Sequence, residues 1–231
     1  MRILALDTAL GAASAAIVDA ASNRVLAQES QAMERGHSEA LMPMVARVLA
    51  ASGIGFAEID RFAVTTGPGS FTGLRIGIAA ARGFALVHGK PAVGVSTLAA
   101  FAAPLLFGED RKPVAVAIDA RNGMIFFQSL AMGGRTMAGP GLFSLEDAAR
   151  KIGDGPVAFV GNAADRLALA RKGVTTDFRA GSGIVNTLPA PDIVWVARLG
   201  AAADPASAPA KPLYLREANV TVADRARLQR A

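Results

Sequence analysis

Short apolar runs that alternate with amphipathic segments predict an α/β protein. The first three runs, at residues 2–7, 13–19 and 24–30, have the length and composition of strands, and Ser22 and Asn23 supply a hairpin turn between the last two. Further strands are predicted at residues 61–66, 90–95, 114–119, 124–130 and 157–161. The predicted order of the first half is therefore βββ, α, β, α, β, α.

Apolar residues at helical spacing predict helices between those strands. The first helix follows Ser38, its expected N-cap, and ends at Gly53, while Pro43 predicts a kink or a late start. Other helices are predicted over residues 72–88, 97–104, 145–152, 165–172 and 191–203. The second half repeats the order of the first in reduced form. This predicts two lobes from a duplicated βββαβα unit, one over residues 1–103 and a smaller one over residues 104–231.

Composition and charge limit the chemistry that the chain can perform. Cysteine is absent, which excludes disulfides, thiolate nucleophiles and cysteine metal sites, and His37 and His88 lack metal-ligand spacing. The net charge of +5 comes from scattered Lys and Arg residues, so it permits contact with RNA without arguing for it. Asp7 interrupts the first apolar run and no signal peptide is expected, so a cytoplasmic protein is predicted.

Two further segments bear on location and on the tail. Residues 91–108 carry no charge, but their Pro and Gly residues predict a buried strand and a short helix that Pro104 stops, not a membrane span. Residues 204–212 are rich in Pro and Ala and predict a linker. The basic residues of the tail predict a mobile segment or an RNA contact, and they are Arg225, Arg227 and Arg230.

Two predicted strands end in an acidic residue that precedes a turn: Asp7, before Thr8 and Gly11, and Asp119 in the second half. In α/β kinases and ATPases such a turn holds phosphate through backbone N–H groups, and the acid positions Mg²⁺ or water. An Asp that only bonds to the turn backbone explains the same pattern, and both interpretations stay open. The residues predicted for a vestigial nucleotide cleft are Asp7, Thr8, Gly11, Gly67, Gly69, Asp119, Gly161 and Asn162.

The segment TTGPGSFTGLR places three glycines between a predicted strand and a predicted helix. Glycine lets other backbone approach closely, and the N–H groups at a helix start are free to bind an anion. No Lys-Ser/Thr pair follows the last glycine, so the segment is not a Walker loop. Pro68 and Thr72 occupy the glycine positions that a nucleophile elbow around Ser70 requires. An anion site and a tight structural turn are the remaining alternatives.

Small residues recur every four positions in the helix after this loop, at Gly73, Gly77, Ala81 and Ala85. Such a ridge lets another helix pack closely, either from the same chain or from a partner. The two helices of the first lobe carry more apolar surface than one sheet covers, which favours a partner. Gly77→Leu is then expected to block the partner while the chain stays folded. The residues expected at this contact are Leu41, Met44, Val45, Val48, Gly73, Leu74, Gly77, Ile78 and Ala81.

The chain resembles the TsaB (YeaZ) family over nearly its whole length, through the segments LALDTA, GHSEALMPMV, TTGPGSFTGLRIG, GVSTLAA, AIDARNGMIF, FVGNAA and PLYLRE. The GPGSFTGLR stretch and the DAR hairpin are quite specific to this family. Its members are bacterial proteins needed to form N6-threonylcarbamoyladenosine next to the tRNA anticodon. The resemblance implies an actin-like ATPase fold of the ASKHA, ribonuclease H-like type.

The resemblance also implies partners. TsaB proteins are paralogues of the catalytic subunit TsaD and dimerise with it through the two helices of the first lobe, and the ATPase TsaE joins that complex. A homodimer through the same face and indirect contact with tRNA are also implied. No cofactor is required, and ATP or ADP is allowed at or near the partner interface. TsaD carries its metal on a His-x-x-x-His motif. Thr97 and Phe101 stand at the matching places, so no metal site is expected.

Two functional hypotheses follow. In the first, the chain is a non-catalytic subunit that binds and activates TsaD. In the second, it is an independent ATP-dependent phosphotransferase of the same fold, in which Asp7 and Asp119 manage Mg²⁺ and the phosphates. The short second lobe counts against the phosphotransferase, because residues 161–164 are its only candidate for an adenosine loop.

Overall fold

Two five-stranded sheets with the same strand order form the framework of the chain. The computed structural model describes residues 1–109, 111–153, 155–174 and 184–215. The tail predicted from Arg225, Arg227 and Arg230 lies outside the described residues. Within the described ranges, no helix is both long enough and apolar enough to cross a membrane.

The first sheet is formed by β1 (Arg2–Asp7), β2 (Ala12–Asp19), β3 (Arg24–Ala32), β4 (Arg61–Gly67) and β5 (Ala92–Ser96). Its order is β3-β2-β1-β4-β5. The first three strands form an antiparallel meander, whereas β1, β4 and β5 run parallel. The carboxyl ends of β1 and β4 therefore meet at one edge of the sheet, where the predicted cleft residues lie.

Helices cover both faces of this sheet. The helices α1 (His37–Ser52) and α2 (Phe71–His88) cover one face, with a 3₁₀ turn at Phe56–Glu58 between them. The opposite face packs against α6 (Ile193–Ala202). Alternation along β1 explains this arrangement, because Leu4 faces α1 and α2 while Ile3 and Ala5 face α6.

The second sheet is formed by β6 (Val114–Asp119), β7 (Met124–Leu130), β8 (Thr136–Ser144), β9 (Ala158–Val160) and β10 (Ile184–Asn186). Its order is β8-β7-β6-β9-β10, which repeats the order of the first sheet strand for strand. One face packs against α4 (Leu145–Arg150) and α5 (Ala164–Val174), and the other against α3 (Thr97–Phe107). The prediction of an α/β fold from two copies of one unit is confirmed.

Several predicted element ends differ from the structure. Ser38 does not cap the first helix, because α1 begins at His37 and Gly36 occupies the N-cap with a φ of 88°. Pro43 lies inside α1. Pro104 does not stop α3, which continues to Phe107. The strand β8 was not predicted, because its Gly-Pro-Gly core looks like a loop, and Pro is tolerated in an edge strand such as this one.

The last described helix connects the two halves. Although α6 follows the second sheet in the chain, it packs on the first. The guanidinium of Arg61 donates to the carbonyl oxygens of Gly200, Ala201 and Ala203, at 2.9, 3.1 and 2.6 Å. These carbonyls lie at the end of α6, where a helix has no internal donors for them. The division between residues 103 and 104 stays a prediction.

Candidate functional site

The first candidate group surrounds Asp7, at the carboxyl end of β1. The Asp7 side chain is fully buried, and its Oδ1 accepts hydrogen bonds from the Ala9 amide at 3.0 Å and from the Thr65 hydroxyl. Its Oδ2 is buried without a hydrogen-bond partner among the described residues. Desolvation raises the pKa of Asp7 above its ordinary value, more than the bonds from Thr65 and Ala9 lower it. This carboxyl group is shielded from solvent, and one of its oxygens has no protein partner among the described residues.

Two amides of the turn between β1 and β2 are engaged within the chain. The Ala9 amide donates to Asp7, and the Gly11 amide donates to the carbonyl of Pro189 at 3.2 Å. The Leu10 carbonyl accepts a hydrogen bond from His37 Nε2 at 2.9 Å. A phosphate-binding turn needs free N–H groups that point at the ligand. The amides of Ala9 and Gly11 are therefore not available to bind phosphate in this structure.

The glycine-rich loop after β4 packs directly on this turn. A β-carbon on Gly69 would lie 2.4 Å from the Ala9 carbonyl oxygen, and one on Gly73 would lie 2.0 Å from the Thr8 carbonyl oxygen. Gly67 has a φ of 113°, and a β-carbon there would lie 2.8 Å from the carbonyl oxygen of Leu213. Close approach and backbone conformation thus explain these glycines, which supports the structural turn over the anion site.

The second candidate group lies at the end of β6. The Asp119 side chain is partly exposed, and its Oδ1 accepts from Arg166 at 2.6 Å and from the Arg121 amide at 3.1 Å. The Asn162 side chain accepts from the Asp119 amide at 2.8 Å. Desolvation raises the pKa of Asp119, but the bonds from Arg166 and the Arg121 amide outweigh it, so the pKa lies below its ordinary value. This carboxylate is already neutralised by Arg166.

The eight predicted cleft residues therefore form two groups, one at the end of the first strand of each sheet. Gly161, which has a φ of 102°, packs on Ala117 beside the second group, where a β-carbon would lie 2.2 Å from the Ala117 carbonyl oxygen. Among the described residues, no three His, Asp or Glu side chains are close enough together to hold a metal ion. The hydrogen bond from the Gly11 amide to the Pro189 carbonyl could not be predicted from the sequence, because the two residues are far apart in the chain.

Asp7→Asn is expected to weaken the pH dependence of stability while the chain stays folded. A raised pKa means that the folded state binds the proton more tightly than the unfolded state, so Asp7 lowers stability as pH rises above about 3.8. Asparagine keeps the oxygen that accepts from Ala9 and Thr65 and removes the charge. Urea unfolding from pH 4 to 8 measures the effect. An Asn variant with the same slope as the wild-type chain in this window would contradict the assignment.

The nine residues predicted at a partner contact lie inside the chain's own core. All of them are buried, and seven belong to the cluster under α1 and α2 that faces the first sheet. A β-carbon on Gly77 would lie 2.6 Å from Thr8 Oγ1 and 3.2 Å from Val64 Cγ2. The predicted contact residues are therefore corrected, because they hold the helices to their own sheet. Gly77→Leu would disrupt this packing, not leave the fold intact.

Exposed apolar side chains lie on the outer faces of the same two helices, and not at the nine residues predicted for the partner contact. The Leu86, Val87 and Met42 side chains are 84%, 77% and 51% exposed. Small exposed residues lie between them, at Ala79 and Gly83 in α2 and at Ala46 and Ala50 in α1. Positions 79, 83 and 86 follow the i, i+4, i+7 rule, so the sequence contained the signal for a second face. We call this outer face of α1 and α2 the exposed helix face.

Comparison with known proteins places this arrangement in a family. The family model described as "TsaD: tRNA N6-adenosine threonylcarbamoyltransferase" matches residues 22–180. The "tRNA threonylcarbamoyladenosine biosynthesis protein TsaB" of Escherichia coli K12 is 39% identical over 127 residues, 55% of this chain and 54% of that protein. An uncharacterized protein of Mycobacterium tuberculosis H37Rv is 34% identical over 167 residues, 72% of this chain and 74% of that protein. The matched region thus spans about half of the curated TsaB relative.

The solved structures agree with the sequence relatives. The crystal structure of YeaZ from Pseudomonas aeruginosa superposes with a TM-score of 0.76 at 26% identity, and the match covers 93% of this chain and 99% of that one. Two sheets of repeated strand order, each with an Asp at the end of its first strand, define an actin-like α/β protein. Within this class, the chain belongs to the TsaB (YeaZ) family, and it also matches the TsaD family model.

Proposed function

We propose that this chain takes part in forming threonylcarbamoyladenosine on tRNA, as a subunit that binds and activates the TsaD transferase without performing the transfer. The names of the TsaB relatives support the pathway. Membership of a family that also includes the transferase supports a paralogous partner, because related folds can pair through equivalent surfaces. In this proposal TsaE joins the larger complex, tRNA is bound by the complex, and a homodimer competes for the same surface.

The exposed helix face is the observation that carries the proposal. Leu86 and Val87 are adjacent in α2 and are mostly exposed, and Met42 of the neighbouring α1 is half exposed. The small side chains of Ala79 and Gly83 allow a partner helix to approach closely, and nothing lies within 4 Å of a β-carbon built on Gly83. Exposed apolar residues on two neighbouring helices are typical of protein contacts.

The geometry of the cleft supports a non-catalytic role. Asp7 is buried, and the amides of Ala9 and Gly11 are engaged within the chain. Thr97 and Phe101, which stand where the metal-binding histidines of TsaD would be, are 0% and 2% exposed. The phosphotransferase hypothesis needs acids that are free to hold Mg²⁺, whereas Asp7 is buried and Asp119 is paired with Arg166. A nucleotide at or near the partner interface stays a proposal that rests on the resemblance alone.

Titration of TsaD from the same organism with this chain tests the proposal. We expect a one-to-one complex by calorimetry, and we expect threonylcarbamoyl transfer to tRNA to accelerate when both proteins are present together. The chain without TsaD is expected to leave tRNA unmodified. TsaD that neither binds the chain nor gains activity from it, or a chain that modifies tRNA unaided, would refute the proposal.

A further inference from the structure

A cluster of aromatic rings and a guanidinium group lies exposed at the start of α2. The rings of Phe71 and Tyr214 stack with centroids 5.2 Å apart and planes inclined by 30°. The guanidinium carbon of Arg75 lies 3.7 Å from the centroid of the Phe71 ring, and its Nε lies 3.4 Å from the Tyr214 hydroxyl. Phe71 and Tyr214 are 40% and 46% exposed, so part of this stack faces solvent. We call these three residues the ring cluster.

Positive charge lies beside the ring cluster. No Asp or Glu occurs in α2, which contains Arg75 and, about 10 Å further along the helix, Arg82. Lys211, close to Tyr214 in the chain, is also exposed. Within the described residues, neither Arg75 nor Arg82 forms an ion pair. A surface with unpaired positive charge is complementary to a polyanion.

We propose that the ring cluster binds an unpaired nucleotide of RNA, with the base stacked on the exposed aromatic surface and Arg75 close to the backbone. Bases of single-stranded RNA are bound on aromatic rings and on guanidinium planes, and the cluster offers both in one place. A protein partner would require acidic or apolar complementarity, whereas RNA uses the rings and the charge together. If the proposed function holds, the RNA is the tRNA substrate, and this chain contacts it directly.

The ring cluster and the two most exposed apolar residues of the exposed helix face, Leu86 and Val87, lie toward opposite ends of α2. Phe71 is the first residue of α2, and Leu86 is near its end. At 1.5 Å per residue these positions are about 22 Å apart along the axis. The residues that test the two proposals, Leu86 for the protein partner and Tyr214 for RNA, can therefore be substituted separately.

Substitution of Tyr214 tests the proposal by affinity and by cross-linking. We expect Tyr214→Ala to weaken binding of an unmodified tRNA transcript about tenfold, the typical cost of losing one stacking ring, while Tyr214→Phe binds normally. Arg75→Gln is expected to reduce the salt dependence of binding by about 0.7 in the slope of log K against log salt. Ultraviolet irradiation of the wild-type complex should attach RNA to the peptides that contain Phe71 or Tyr214.

Phe107→Ala is the matched control, because Phe107 is 48% exposed at the end of α3, outside the ring cluster. It should bind tRNA normally, and thermal melting should show that each variant is folded. Normal tRNA binding by folded Tyr214→Ala, with no cross-link at either ring, would overturn the proposal. So would loss of TsaD binding with tRNA binding intact, which would make the cluster a protein contact. If the chain cross-links to RNA but does not bind TsaD, the RNA proposal stands and the proposal that the chain activates TsaD is refuted.

Discussion

Replacing Gly73 with alanine is expected to lower the free energy of unfolding by about 2–3 kcal/mol, a large cost for one methyl group. A β-carbon at this position would lie 2.0 Å from the Thr8 carbonyl oxygen, and backbone in a central hairpin cannot move aside as a flexible side chain can. Any shift also strains the bond from the Thr8 hydroxyl to the Gly73 carbonyl, which is 2.7 Å long. Urea unfolding followed by circular dichroism measures the loss.

Gly83→Ala is the control in the same helix. Nothing lies within 4 Å of a β-carbon on Gly83, so alanine there gains helix propensity without a clash. A gain of about 0.5–1 kcal/mol is expected. Equal effects of the two substitutions would show that α2 does not rest on the β1–β2 turn as described.

Leu86→Arg is expected to weaken binding to TsaD about 100-fold, close to 3 kcal/mol. The Leu86 side chain is 84% exposed in the isolated chain, so the variant should fold normally. In a complex, the same position would be covered by the partner, and a guanidinium group without a partner is costly to desolvate. Calorimetric titration of TsaD with the variant measures the change.

Leu169→Arg tests whether the effect is specific to the exposed helix face. Leu169 lies in α5, on the second sheet, and is 71% exposed, so it receives the same substitution in a similar helical setting. Its affinity for TsaD should match that of the wild-type chain. If both variants bind normally, the exposed helix face is not the contact; if both are impaired, the loss is not specific to this face.

The fold could be predicted from the sequence because its signals are local. Apolar runs that end in Asp7 and Asp119, each followed by a hairpin, reveal the duplication. The element ends were less predictable, since they depend on tertiary contacts. The bond from His37 to the Leu10 carbonyl, for example, fixes the start of α1 one residue before the expected cap. The edge strand β8 lacked a local signal altogether.

The candidate site was harder to predict, because helical periodicity reveals an apolar face of a helix but not which part of the structure covers that face. The small residues at Gly73, Gly77 and Ala81 form a true ridge, but it faces the turn after β1 and the core over the first sheet. The apolar surface left for a partner lies on the other side, at Ala79, Gly83 and Leu86. Which side of α2 is buried depends on where the sheet lies beneath the helix, and the tertiary fold sets that position.

The return of α6 to the first sheet has a consequence for motion. Opening of the two halves would require a hinge between them, but over the described residues the chain passes from the first sheet to the second and back, and the Gly11 amide is bonded to Pro189. Opening would have to break that bond and the three from Arg61 to the end of α6. A chain whose halves are held together in this way loses little conformational entropy when it binds another molecule.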